Sequence, residues 1–141
     1  MGGRSFYLFA ALQIVVVCAV LRFVFTMPGP WDLSRSLGIT LILIGIGGIA
    51  LARYQLGRSF AIRSEAHKLV THGVYSKIRN PIYVFGTTAI AGFVLVLHQP
   101  IGWLVLLAII VLQIVRARRE ARVLEAAFGD AYREYRSKTW F

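Results

Sequence analysis

Cysteine is nearly absent from this chain. Cys18 stands alone inside an apolar run, so cysteine can supply neither a disulfide framework nor a metal cluster, and no metal site is expected. The thiol reads as a small buried hydrophobe rather than a reactive group. Acids are scarce too, six against sixteen lysines and arginines, and none falls within an apolar run. That counts against a small proton-coupled transporter, which ordinarily needs an intramembrane acid. Internal repeats and low-complexity linkers are also missing. The start, Met1-Gly-Gly-Arg-Ser-Phe6, has no Ser or Thr at the sixth position and so misses the myristoylation pattern. No small-x-small cleavage site precedes Pro28-Gly29-Pro30, so the first apolar run is expected to be a retained span.

What the chain has instead is apolar residues in long blocks. At 57% hydrophobic, with a mean hydropathy of +0.67 over 141 residues, it is too apolar for a soluble domain of this size. It reads as one all-α integral membrane domain over residues 1–141, a helical bundle of about four spans. The runs are 6–27, 37–52, 82–97 and 101–115, against a crossing length of about 20 residues. The last two are short, so flanking residues or local thinning must complete them. Arg22 is expected to snorkel to an interface. Gly38, Gly45, Gly47 and Gly48 suit close helix packing in lipid, within the chain or with a neighbouring copy. Only His98-Gln99-Pro100 joins the last two runs, as a tight hairpin with Pro100 starting the next helix.

The net charge of +10 suggests nucleic acid, but its placement argues otherwise. The cations gather in segments 53–81 and 116–141, each flanking an apolar run, as the positive-inside bias requires. Both segments and both termini are therefore expected on the cytoplasmic side. Anionic lipid head groups are a secondary partner, and nucleic acid is not one.

Two places concentrate chemistry. After Gly102 the fourth run has no helix breaker until Phe128-Gly129, so one helix should leave the membrane near Val115 and extend beyond it. On it Arg116 and Glu120 lie at i and i+4, on one face at the boundary. They form either an ordinary ion pair or part of a site open to lipid and water alike. The other place is "GVYSKIRNPIYVFG", residues 73–86. Tyr75 and Tyr83 alone could be interfacial aromatics, with Asn80 capping a helix that Pro81 starts. Taken together, a helix start rich in free N–H groups beside aromatic faces suits a carboxylate and a purine ring.

The pair of segments "HKLVTHGVYSKIRNPIYVFG" (67–86) and "RARREARVLEAAFGDAYREY" (116–135) resembles the isoprenylcysteine carboxyl methyltransferases and the related phospholipid methyltransferases. The match includes "LGRSF" at 56–60 and covers the C-terminal half to two-thirds of the chain. The resemblance implies an S-adenosylmethionine-dependent membrane methyltransferase. It implies that His67, Leu69, Val70, Tyr75, Asn80, Pro81, Tyr83 and Glu120 bind the cofactor, and that Arg116 faces the methyl acceptor. Asn80 stands where the family often has His, yet an amide still donates and accepts hydrogen bonds. Ala121 stands where a second acid is common.

Two lipophilic acceptors fit. A carboxylate is already ionised at neutral pH, with a reference pKa near 4, and needs only a cation, which Arg116 offers. A phospholipid amine must first lose a proton, and no acid or imidazole lies in the spans to take it, His98 being at the far end. Carboxyl O-methylation is therefore favoured over N-methylation. An NADPH-dependent membrane reductase and a non-enzymatic membrane protein are the readings from other classes.

Overall fold

The structure, a computed structural model, describes residues 3–60 and 69–141, with side chains described over 11–56 and 69–141. Among these residues it is helical throughout. Helix α1 (Gly3–Thr26) is followed by α2 (Leu33–Phe60), a 3-10 turn (Gly73–Ser76), α3 (Pro81–Leu97), α4 (Ile101–Phe128) and α5 (Asp130–Lys138). Helices α2 and α4 are long and apolar enough to cross a membrane. Helix α3, at 17 residues, reaches roughly 26 Å, just under the ~30 Å of a hydrocarbon core. Leu104, Leu107, Val111 and Leu112 of α4 are each more than half exposed. A surface of that kind suits a membrane better than water.

The tightest packing joins α2 to α3 in antiparallel fashion. A Cβ at Gly38 would lie 2.6 Å from the Gly92 carbonyl oxygen, and one at Gly45 would lie 2.6 Å from that of Phe85. The helices thus meet backbone to backbone, which in lipid replaces the missing hydrophobic drive with dispersion contact. Gly38, Gly45 and Gly48 are spent within the chain rather than on a neighbour. Only Gly47 of that group faces open space. Ser34 adds a hydrogen bond from Oγ to the Leu95 carbonyl at 3.2 Å. Helix α4 runs antiparallel to α3 from a contact between Gly102 and Val94.

The small core of Val24, Ile42 and Val96 lies at the end of the bundle where α1 turns into α2. There Arg35, only 3% exposed, folds its guanidinium back onto the carbonyls of Val24, Met27 and Gly29. It thereby satisfies carbonyls left open at the C-terminal end of α1, and it stacks over Trp31 at 4.4 Å. Across from it His98, at φ 52° in the hairpin corner, binds Asp32 through Nε2 at 3.0 Å. These contacts close one end of the bundle. The other end holds the polar segments around Tyr83, Arg116 and Glu120.

Three expectations are corrected. Cys18 is exposed on the surface of α1 rather than buried in the protein, because α1 packs against little else. Pro100 caps α4 instead of occupying its first position, and the helix begins at Ile101. Helix α2 runs well past the apolar run, from Leu33 to Phe60, and carries Gly57 through without a break, a single glycine costing a helix only about 1 kcal/mol.

Candidate active site

Helix α4 continues unbroken from the apolar run to Phe128 and carries Arg116 and Glu120 out beyond it. It stops at Gly129, whose φ of 52° is one that a side chain disfavours. The Gly129 N–H then bonds the Glu125 carbonyl at 2.9 Å. Against this extension stands the start of α3. Tyr83 donates from its hydroxyl to Glu120 Oε1 at 2.6 Å, a short charge-assisted bond. The Arg116 guanidinium sits over the same tyrosine ring at 5.9 Å, within cation–π range. Among the described residues no ion pair joins Arg116 to Glu120. The i, i+4 pair expected as the ordinary alternative is replaced by two separate contacts to Tyr83. Among the described residues, Glu120 Oε2 and the N–H donors of Arg116 have no hydrogen-bond or ion-pair partner.

The N-terminus of α3 is less open than its sequence suggests. Pro81 has no N–H and is almost wholly buried. The N–H groups of Tyr83 and Val84 both bond the Asn80 carbonyl, at 3.0 and 3.2 Å. Those of Arg79 and Asn80 bond the carbonyls of Trp140 and Phe141, at 3.1 and 2.9 Å. The expectation of a helix start rich in free donors is corrected: among the described residues, only the Ile82 N–H of that first turn has no partner. Asn80 occupies the cap position but makes no side-chain cap bond, and among the described residues its amide has no hydrogen-bond partner.

The segment leading to α3 is held from both sides. On one side Gln55 of α2 accepts the Val74 N–H at 2.8 Å. Gly73, at φ 62°, lies so close to the Gln55 side chain that a Cβ there would collide with it. On the other side Tyr135 of α5 donates to the Tyr75 carbonyl at 2.7 Å, and burial pushes its hydroxyl pKa up to about 12, keeping it a donor at any ordinary pH. Ile78 pairs in parallel with Trp140, and the Trp140 N–H bonds the Lys77 carbonyl at 3.0 Å. Tyr132, 2% exposed, packs beside Tyr135 and is near enough to feel the charges of Arg79, Arg136, Glu125 and Glu120.

Tyr83, Glu120 and Arg116 thus come together directly. Asn80 and Pro81 adjoin them through the chain, and Tyr75 belongs to the supporting layer as a buried ring. Leu69 and Val70 are half-buried in the segment before the 3-10 turn. His67 lies outside the described residues. Reading the sequence did not single out Gln55, Tyr132 or Tyr135. The two tyrosines fall in the segment "RARREARVLEAAFGDAYREY" (116–135) that carries the family resemblance, which is the available signal; Gln55 has none.

The donor set fits a methyl donor with a polar amino-acid end and a nucleoside. It offers an unspent carboxylate oxygen, a free amide, an aromatic face and, at Gly86, room where a Cβ would meet nothing within 4 Å. Comparison with known proteins points the same way. Residues 33–131 match the family model described as phospholipid methyltransferase. The chain is also 31% identical over 137 residues to protein-S-isoprenylcysteine O-methyltransferase B of Arabidopsis thaliana, covering 90% of this chain and 68% of that protein. No solved structure matches. The chain belongs to the phospholipid methyltransferase family, and it is a methyltransferase that takes its methyl group from S-adenosylmethionine.

Proposed function

We propose that this protein methylates a carboxylate on a lipid-soluble acceptor of the isoprenylcysteine kind, at the cytoplasmic face of a membrane that it crosses four times as a single domain. The observation that carries this reading is the separation of Arg116 from Glu120. Each contacts Tyr83 rather than the other, so a cation and an anion stand a turn apart with distinct duties. The relative's name, an isoprenylcysteine O-methyltransferase, supports the same acceptor.

The sulfonium of S-adenosylmethionine supplies an electrophilic methyl group, and transfer is an in-line displacement. The protein's work is then placement rather than acid–base chemistry. Arg116 draws the acceptor carboxylate into a partly apolar site and fixes its plane through paired N–H donors. Glu120, oriented by the Tyr83 hydroxyl, holds the cofactor's amino end or balances the sulfonium charge. Asn80, Pro81 and the ring of Tyr83 line the cofactor cleft, with His67, Leu69, Val70 and Tyr75 along the segment that leads into it. The acceptor's prenyl chain stays in lipid beside α4, whose outer face is exposed aliphatic surface.

The test is transfer of a labelled methyl group from S-adenosylmethionine in vesicles, offering N-acetyl-S-farnesylcysteine and phosphatidylethanolamine in parallel. Label on the farnesylcysteine, released by base as volatile methanol, is expected. Base-stable label on phosphatidylethanolamine alone would replace carboxyl methylation with amine methylation.

A further inference from the structure

Two residues inside the apolar run continue the site downward. Thr87, one turn beyond Tyr83 on α3, donates from Oγ1 to Gln113 Oε1 on α4 at 2.7 Å. Both residues are half-buried. Gln113, Arg116 and Glu120 follow one another at three and four residues, so they fall within an arc of about 60° on α4. Gln113 lies roughly 4.5 Å deeper than Arg116 along the axis. Its neighbours Val111, Leu112, Ile114 and Val115 are all aliphatic.

A primary amide in such a setting carries a cost unless its hydrogen bonds are made. Thr87 takes the carbonyl oxygen, which fixes the amide's orientation and turns its nitrogen away from Thr87. Among the described residues the two N–H donors on Nε2 have no partner. Had the pair served only to hold α3 against α4, an apolar contact like that of Val94 with Gly102 would do so without exposing donors to lipid. Two oriented donors, one turn below the Arg116 guanidinium and on its side of the helix, are placed to receive an acceptor oxygen brought by a ligand.

We infer that Gln113 is a specificity-determining residue, whose side-chain NH2 donates to a carbonyl oxygen of the methyl acceptor next to the carboxylate held by Arg116. This rests on the carboxyl-methylation reading and deepens it. In an N-acylated cysteine the amide carbonyl oxygen lies three bonds beyond Cα, through the nitrogen and the carbonyl carbon. That separation from the carboxylate is comparable to the rise from Arg116 to Gln113. The clamp selects acceptors bearing an acylamino group over bare prenylthio acids, and Thr87 sets its direction.

The experiment compares kcat/KM for N-acetyl-S-farnesylcysteine with that for S-farnesyl-3-mercaptopropionate, which has the thioether, prenyl chain and carboxylate but no acylamino group. Wild type is expected to prefer the first by about tenfold, the scale of one hydrogen bond made in an apolar site. Gln113→Met should bring that ratio close to one, and Thr87→Val should lower it part of the way. Binding of S-adenosylmethionine by both variants, within twofold of wild type, reports that they fold. A ratio unchanged by Gln113→Met, or equal loss of both acceptors at constant ratio, overturns the clamp while leaving carboxyl methylation intact. Transfer to neither acceptor by wild type overturns both.

Discussion

Tyr83 is the residue on which the site turns, because its ring and its hydroxyl engage different partners. The ring faces Arg116 while the hydroxyl binds Glu120, and this keeps the two charges from neutralising each other. Tyr83→Phe retains the ring and removes the bond. The pair is open to solvent, so its worth is near the low end for a charge-assisted bond, ~1 kcal/mol. Titration should show S-adenosylmethionine affinity falling roughly fivefold, with the KM for the acceptor little changed. A rise in acceptor KM alone would place Tyr83 on the acceptor side. Reading the sequence found Tyr83, Arg116 and Glu120 because their spacing along two helices is local information. It misjudged the donors around Asn80 because their partners, Trp140 and Phe141, lie some sixty residues away, and no local pattern encodes that pairing.

At the scale of elements, α2 and α3 behave as one rigid pair whose separation glycine sets. A Cβ at Gly92 would lie 2.5 Å from the Gly38 carbonyl oxygen and 2.8 Å from the Ile42 nitrogen. Backbone cannot yield as a side chain can, so Gly92→Ala should force the helices apart at a cost of about 1–3 kcal/mol. Thermal unfolding in detergent should show that loss, whereas Gly47→Ala, open to space, should show none. The helix boundaries of α3 and α4 were legible from Pro81, Pro100 and Gly129. Which glycines face inward was not, because five of them on one helix leave the partner unspecified. The hairpin end carries a pH-sensitive clasp. His98 is raised above its usual value, first by its bond to the Val96 carbonyl and then by Asp32. Asp32 is lowered, first by the Arg35 backbone N–H and then further by His98; the Arg35 guanidinium, the other charge nearby, opposes the rise at His98. A raised imidazole stabilises the fold fully below its unfolded value of 6.5 and loses that contribution as pH climbs through the folded value. A depressed carboxylate loses its contribution as pH falls through a value below 3.8. The clasp is therefore strongest between those edges. The melting temperature should fall from pH 5.5 to pH 8, modestly because both groups are exposed. His98→Ala should remove that part of the slope.

At the scale of the whole molecule, chemistry and closure occupy opposite ends of one bundle. The Arg35–Asp32–His98 end fastens α1 and the two turns together. The other end gathers segments far apart in sequence around Tyr83. Gln55 from α2, Tyr135 from α5 and the pairing at Trp140 all fix the segment that leads into α3. The all-helical membrane character was evident from block hydropathy alone. The supporting layer was legible only in part: Tyr132 and Tyr135 lie in the motif at 116–135, whereas a glutamine near a helix end looks like any surface residue until the fold places it. The central claim is that Glu120 serves the cofactor and Arg116 the acceptor. Its most direct test is S-adenosylmethionine titration of wild type, Glu120→Ala and Arg116→Ala in detergent, paired with acceptor kinetics. The assigned roles predict that Glu120→Ala abolishes binding, while Arg116→Ala binds like wild type and loses acceptor use. Equal loss of cofactor binding in both variants would contradict them.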